Sequence, residues 1–212
     1  MHTDGYKGYR ILPNVTIVGC FAHVRRKFDE ALKGMPSEAR GDSVAARGLV
    51  LCNQLFELER EFANLLPDQR YDNRLALSLP IAHKLLELAQ SFENQAKSLT
   101  KTAADYFVNQ WPYLKNIFLD GRLELSNNRA ERSIKPFVIG RKNWLFSSSQ
   151  KGARASSIVY SIIETAKENN LKPFEYLKFI FHTLPNSSDD DLDAVLPWAA
   201  SIPDFCRCQI PR

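Results

Sequence analysis

The sequence has 212 residues, of which 25% are charged and 44% are hydrophobic, and its net charge is +4. These proportions are ordinary for a globular protein, and the length suffices for one large domain or two small ones. The sequence contains no apolar run of about 18 residues and no apolar signal segment at its start, which predicts no membrane span and a cytoplasmic protein.

The positive charge is concentrated in two segments of the chain. Residues 1–33 carry six Lys and Arg against three acidic residues, and residues 121–154 carry eight against two, a local net charge of +6. Clustering of this kind indicates a polyanionic partner, with nucleic acid as the first candidate. The competing interpretation is that these side chains only solvate a surface.

The predicted elements begin with a buried strand over residues 14–21, which are β-branched and apolar. A helix follows from Ala22 and is closed by Gly34. A second helix is predicted over residues 44–66, and the segment 67–73 is predicted to break it. The apolar stripe of this second helix, at three- and four-residue spacing, consists of Leu51, Leu55, Leu58, Phe62 and Leu65.

Four more helices complete the predicted secondary structure, apart from one short helix at Asn128. The first starts near Pro80, and the second spans residues 102–119 with a kink at Pro112. The third spans residues 151–169, and the fourth starts at Pro173. The middle of the chain is therefore predicted to be nearly all helical. The Pro-rich tail over residues 196–212 is predicted to be loosely ordered.

The short helix places Glu131 among cations. Asn128 is predicted as its N-cap and Glu131 as its third residue, which is a capping-box arrangement, and Pro136 is predicted to end or bend it. Glu131 therefore has two interpretations. It is either a capping acid, or a divalent-cation ligand whose neighbouring cations hold a phosphodiester. Trp144 and Phe146 are predicted either to stack on unpaired bases or to join the core.

Two further motifs precede the helical middle. In "TDGYKGY", Asp4 occupies a turn where a carboxylate either forms an ordinary Asx turn or projects beyond a strand. In "CFAHVRRKF", Cys20 and His23 have the spacing of half a zinc site, and we favour a buried Cys and a locally bonded His instead. The three cations that follow His23 spread around a helix, so only one or two can contact phosphate.

These segments resemble the insertion-sequence-66 (IS66) type of transposase, a bacterial family with an Asp-Asp-Glu (DDE) catalytic domain. The matching segments are "TDGYKGY", "GCFAHVRRKF", "NNRAERSIKPFVIGRKNWLFSSS", "SIIETAKENNLKPFEYL" and "VLPW", between about residues 3 and 198. The resemblance implies an α/β remnant of an RNase H-like fold, mostly α-helical, with a helical insertion and few strands. It also implies DNA strand cleavage and joining assisted by two Mg²⁺ ions.

The resemblance assigns roles to individual residues. Asp4 matches the second catalytic aspartate and Glu131 the catalytic glutamate, and both are expected to bind metal. Cys20, His23, Asn127 and Asn128 match structural positions near the site. The basic positions expected to contact DNA are Arg25, Arg26, Arg129, Arg132, Lys135, Arg141 and Lys142.

The implied domain organisation has five parts. Residues 1–33 form the strand of the second Asp and the following helix, and residues 34–120 form the helical insertion. The catalytic Glu lies within residues 121–150. A C-terminal helical region covers residues 151–200, and the tail covers residues 201–212.

Two departures from the family pattern affect the expected activity. Ser126 stands where many relatives have an aspartate, and the family's first catalytic aspartate lies upstream of the position of Asp4. The sequence therefore predicts a truncated transposase with an incomplete metal site and no strand cleavage on its own. The expected partners are DNA at the element ends, with other element-encoded proteins or an N-terminal fragment. The alternatives are a non-catalytic DNA-binding remnant and a helical protein-interaction module.

Overall fold

The computed structural model describes residues 1–92, 94–144, 147–186 and 189–208. The chain divides into two compact units, Met1–Arg129 and Ala130–Arg212. The described residues are mostly helical, and their only β pairings are isolated bridges, His2 with Val18 and Leu171 with Arg207. The prediction of a mostly helical chain with few strands is confirmed.

The first unit is built on a ring of four helices. Its five α-helices are α1 (Phe21–Lys33), α2 (Val44–Glu61), α3 (Pro67–Asn73), α4 (Leu79–Gln90) and α5 (Leu99–Leu114). Helix α1 packs against α2 and α5, and α4 packs against the same two helices. The helices predicted from Ala22, over residues 44–66 and from near Pro80 are therefore confirmed as α1, α2 and α4. Their boundaries are shifted by a few residues.

The core of this unit follows from helical periodicity. Helix α1 buries Phe21, Val24, Phe28 and Ala31, which recur every three or four residues on one face. Opposite them, α2 places Gly48 so close that a Cβ there would lie 2.5 Å from the Phe28 ring. Glycine thus allows α1 and α2 to approach closely at this point.

The predicted strand over residues 14–21 is wrong. Asn14 has a φ of 56°, in the left-handed region, which is incompatible with an extended strand through that position. The segment instead satisfies its backbone groups with the chain start and with α5. Val18 N donates to Met1 O at 2.8 Å, and Gly19 N donates to Tyr113 O at 3.0 Å.

The predicted break at residues 67–73 is also wrong, because this segment forms α3. Pro67 occupies the first turn, where its missing N–H costs no helical hydrogen bond. A π-helical turn, Arg74–Ser78, joins α3 to α4. The polar composition of the segment indicated a loop, but here it lies on an exposed helix.

The remaining helices are α6 (Asn128–Trp144), α7 (Gln150–Glu168) and α8 (Pro173–Thr183). The helices predicted over residues 151–169 and from Pro173 are confirmed. Pro136 does not end α6, which continues to Trp144. The side chain of Trp144 and all of Phe146 lie outside the described residues, so their predicted base stacking stays a prediction. Helix α6 begins at Asn128, the residue predicted as its N-cap.

The second unit has its own small core. It is made by Ala166, Leu171, Tyr176, Ile180, Ile202 and Cys206. Lys172 N donates to Cys206 O at 2.7 Å, and Cys208 N donates to Asn170 O at 2.8 Å. The prediction that the tail is loosely ordered is therefore wrong as far as residue 208, because Ile202 and Cys206 supply apolar groups that are buried here.

Candidate nucleic-acid interface

Asp4 projects from a turn that the rest of the first unit holds in place. Its Oδ1 accepts a hydrogen bond from Tyr6 N at 3.1 Å, and its backbone carbonyl accepts one from the Tyr106 hydroxyl of α5 at 3.4 Å. Gly5 has a φ of +91°, so this turn requires a left-handed residue directly after Asp4. The Asp4 side chain is exposed to solvent. Asp4 therefore forms an Asx turn and also exposes its carboxylate to solvent.

Tyr106 is a neighbour of Asp4 that sequence reasoning missed. Burial raises the pKa of its phenol, and the nearby Cys20 and Asp4 raise it further. Tyr106 lies about one hundred positions from Asp4, and no local motif marks it. Only the packing of α5 against the chain start brings the two together.

Cys20 links the start of α1 to the segment before α6. Its Sγ is buried and accepts a hydrogen bond from Asn127 N at 3.4 Å, while Phe21 N donates to Leu125 O at 3.0 Å. Burial acts to raise the pKa of the Cys20 thiol, but hydrogen bonds from His23 and Asn127 outweigh it, so that pKa is lowered. The structure therefore brings together Cys20, His23 and Asn127.

Asn127 is buried at 7% exposure, and its side-chain oxygen accepts no hydrogen bond among the described residues. Its backbone N–H, in contrast, bonds to Cys20. Its position next to α6 is thus defined through the main chain. Asn128, the next residue, is exposed.

Arg74 orders the chain that leads to α6. Its side chain is 1% exposed and pairs with Glu59 of α2 through both Nε and Nη2. Its remaining donors bond the Asp120 carbonyl at 3.2 Å and the Leu123 carbonyl at 2.6 Å. A charge buried this deeply is stable only because its donors are paired. The helical middle of the chain therefore supports the segment before Asn127.

Glu131 and most of the predicted DNA-binding cations are exposed residues of α6. Glu131, Lys135 and Lys142 recur at spacings of four and seven residues and share one helical face. Arg132 and Arg141 are exposed as well. Arg129 belongs to the first unit and pairs with Glu124 at 3.4 Å. Asp4 and Glu131 thus belong to different units.

The other two predicted DNA-binding residues line a groove between α1 and α2. The groove has a volume of about 660 Å³, and Asn128 also contributes to its lining. Its charged and amide side chains are Arg25, Arg26, Asp29, Asn53, Glu57 and Arg60. Lys27 does not line it and pairs with Glu30 at 3.4 Å. Only two of the three consecutive cations therefore share one surface.

The described part of the chain brings cations together but not metal-binding groups. No three His, Cys, Asp or Glu side chains among the described residues lie close enough to hold a metal ion. Asp4 and Glu131 each offer the hard oxygen donors that Mg²⁺ prefers. No described helix has the length and apolarity needed to cross a membrane.

A mostly helical chain with exposed basic surfaces is typical of the nucleic-acid-binding class of proteins. Comparison with family models is more specific: residues 1–155 match "Transposase IS66 family" and residues 161–198 match "IS66 C-terminal element". The chain belongs to the IS66 transposase family.

Individual relatives match the chain over part of their own length. The chain is 28% identical to uncharacterized protein y4hP of Sinorhizobium fredii, over 93% of this chain and 39% of that protein. It is 29% identical to uncharacterized protein y4qI of the same organism, over 93% and 38%. The chain thus spans about two fifths of the length of these curated relatives. No solved structure matches.

Proposed function

We propose that this chain acts in DNA transposition, as part of a DDE-type active centre that cleaves and joins DNA strands with Mg²⁺. Family membership carries the proposal, because the match over residues 1–155 includes Asp4, Glu131 and both basic surfaces. An RNase H-like fold is part of the proposal. DNA at the element ends is the proposed substrate, with other element-encoded proteins or an N-terminal fragment as further partners.

In this proposal Asp4 and Glu131 each supply carboxylate oxygens to Mg²⁺. The metal, when bound, would polarise a phosphodiester and activate the attacking oxygen. The chain's own contribution is to hold the phosphates nearby. Both carboxylates are exposed to solvent, and a phosphate of DNA can therefore approach them. Asp4 accepts a hydrogen bond from a turn amide, and Glu131 is next to Arg132 in the sequence.

A non-catalytic DNA-binding role is the second candidate. One observation favours it: three exposed cations, Arg25, Arg26 and Arg60, line the groove between α1 and α2. In this case the chain would bind DNA through its phosphates without cleaving it.

The test is nicking of a supercoiled plasmid that carries the cognate element ends, with and without Mg²⁺. The proposal predicts that the chain alone does not nick DNA, and that Mg²⁺-dependent nicking appears when an N-terminal transposase fragment is added and is abolished by Asp4→Asn or Glu131→Gln. Asp42→Asn and Glu61→Gln are matched controls, because each removes an exposed carboxylate of the first unit away from these two positions. Salt-dependent binding without nicking even when the fragment is present would support the second candidate, and absence of binding would contradict both.

A further inference from the structure

We infer that the groove between α1 and α2 is a binding site for a DNA phosphodiester backbone, and that Arg60 of α2 is one of its contact residues. This inference rests on the proposed function for its choice of polyanion. It extends the DNA-contacting surface from α1 to α2, within the helical middle of the chain, where neither the motifs nor the charge distribution indicated one.

The two walls of the groove are regular helical faces. Arg25, Arg26 and Asp29 recur at spacings of one and three residues on α1, and α2 places Asn53, Glu57 and Arg60 at spacings of four and three. The opposed faces place three guanidinium groups around one volume of about 660 Å³. Guanidinium groups are suited to phosphate because each is planar and offers several donors in a fixed geometry.

Arg25 is oriented before any ligand arrives. Its Nε donates to Asn53 Oδ1 at 2.7 Å, which ties the side chain across the groove to α2. Guanidinium carries five N–H donors, so its Nη groups remain to bind an anion. Among the described residues, no ion pair occupies Arg25 or Arg26. A preorganised donor of this kind loses less conformational entropy on binding.

The acidic residues of the groove do not neutralise these cations strongly. Asp29 is engaged by Lys33 at 2.7 Å. Glu57 lies 3.9 Å from Arg60, and both side chains are more than half exposed, at 60% and 71%. An exposed pair at this distance contributes little, so a phosphate can replace Glu57 as the partner of Arg60.

The experiment measures binding of the full chain to a short fluorescein-labelled DNA duplex by anisotropy, over a series of salt concentrations. Arg60→Gln is expected to weaken binding about three- to tenfold at low salt, because each lost phosphate contact lowers the salt slope by about one. Glu57→Gln is expected to strengthen binding, since it removes a repulsive carboxylate. Arg47→Gln is the matched control: it also removes an exposed arginine of α2, but outside the groove.

Equal effects of Arg60→Gln and Arg47→Gln on affinity and salt slope would overturn the inference, because net charge alone would then explain them. That outcome would leave the proposed DNA-binding function intact if the wild-type chain still bound with a steep salt dependence. Absence of wild-type binding would overturn both. Far-ultraviolet circular dichroism of each variant establishes that a lost affinity is not lost folding.

Discussion

Two regions of the chain, the buried surroundings of Arg74 and the exposed surface of α6, use cations in opposite ways. In the first unit, Arg74 is almost fully buried and bonds a carboxylate and two backbone carbonyls. In the second unit, Arg132, Lys135, Arg141 and Lys142 are all exposed on α6. Counting Lys and Arg along the sequence therefore does not distinguish cations that stabilise the fold from cations that are available to a partner. The burial of each side chain does distinguish them.

The largest expected effect tests the structural role of a buried cation. Arg74→Met should lower the free energy of unfolding by about 3 kcal/mol, because Glu59 and two carbonyls lose their partner. Urea unfolding followed by circular dichroism measures this loss. Arg122→Gln is the control, since Arg122 pairs with Asp120 at the surface and should leave the unfolding midpoint unchanged. An equal loss in both variants would remove the distinction between buried and exposed cations.

The next prediction applies one substitution to a helix of each unit. Gly48→Ala should destabilise by about 2 kcal/mol, because the new methyl group would lie 2.5 Å from the Phe28 ring. Gly152→Ala in α7 should be neutral or stabilising by about 0.5 kcal/mol, because its Cβ meets only the Ser149 hydroxyl, at 3.3 Å. Thermal unfolding of both variants measures the difference. A Gly48→Ala variant that is as stable as wild type or more stable would show that α1 and α2 are not tightly packed here.

A smaller effect concerns the core of the second unit and its dependence on pH. The Tyr176 hydroxyl donates to Val195 O at 2.6 Å, so Tyr176→Phe should cost about 1 kcal/mol. Burial, followed by the nearby Cys206, raises the Tyr176 pKa from 10.0 to about 12. The folded state therefore retains this proton to higher pH than the unfolded state does. Stability from this group is complete below pH 10 and is lost as pH rises toward 12.

The measurement is the urea midpoint of wild type and Tyr176→Phe at a series of alkaline pH values. The difference between the two proteins should shrink as pH rises through this window. A difference that stays constant would show that the phenol ionises equally in the folded and unfolded states.

The smallest effect on stability is expected for the exposed cations of α6. Arg132→Gln should change the free energy of unfolding by less than about 0.5 kcal/mol, because the side chain is exposed. The same variant should lower the salt slope of DNA binding by about one if Arg132 contacts a phosphate. Unfolding and binding titrations on one preparation measure both. A large loss of stability with an unchanged slope would assign Arg132 to the fold.

Periodicity predicted most of the helices because it reports a buried face directly. The face of α1 that contains Phe21, Val24 and Phe28 is an example. The strand over residues 14–21 was mispredicted because apolar, β-branched residues also suit an irregular segment whose backbone bonds to α5. Composition could not distinguish these cases, because the α5 partner, Tyr113, lies about one hundred residues away.

The candidate site was predictable only where it is local in sequence. The proximity of Cys20 and His23 followed from their spacing on α1, and Asp4 and Glu131 stay predictions that the family resemblance supplied. Tyr106, Asn53 and Arg60 carry no motif, and they meet their neighbours only through the packing of α5 and α2. Contacts of this kind depend on the tertiary fold rather than on local pattern.

Because Arg74–Ser78 form a π-helical turn, the direction of the Arg74 side chain depends on the number of residues in that turn. A π turn accommodates an extra residue in an otherwise α-helical ladder. Deleting one residue from this turn would restore regular α-helix but rotate α3 by about 100° relative to α4, since each residue turns an α-helix by that angle. Arg74 would then point away from Glu59, so a single-codon deletion should damage this region more than most single substitutions.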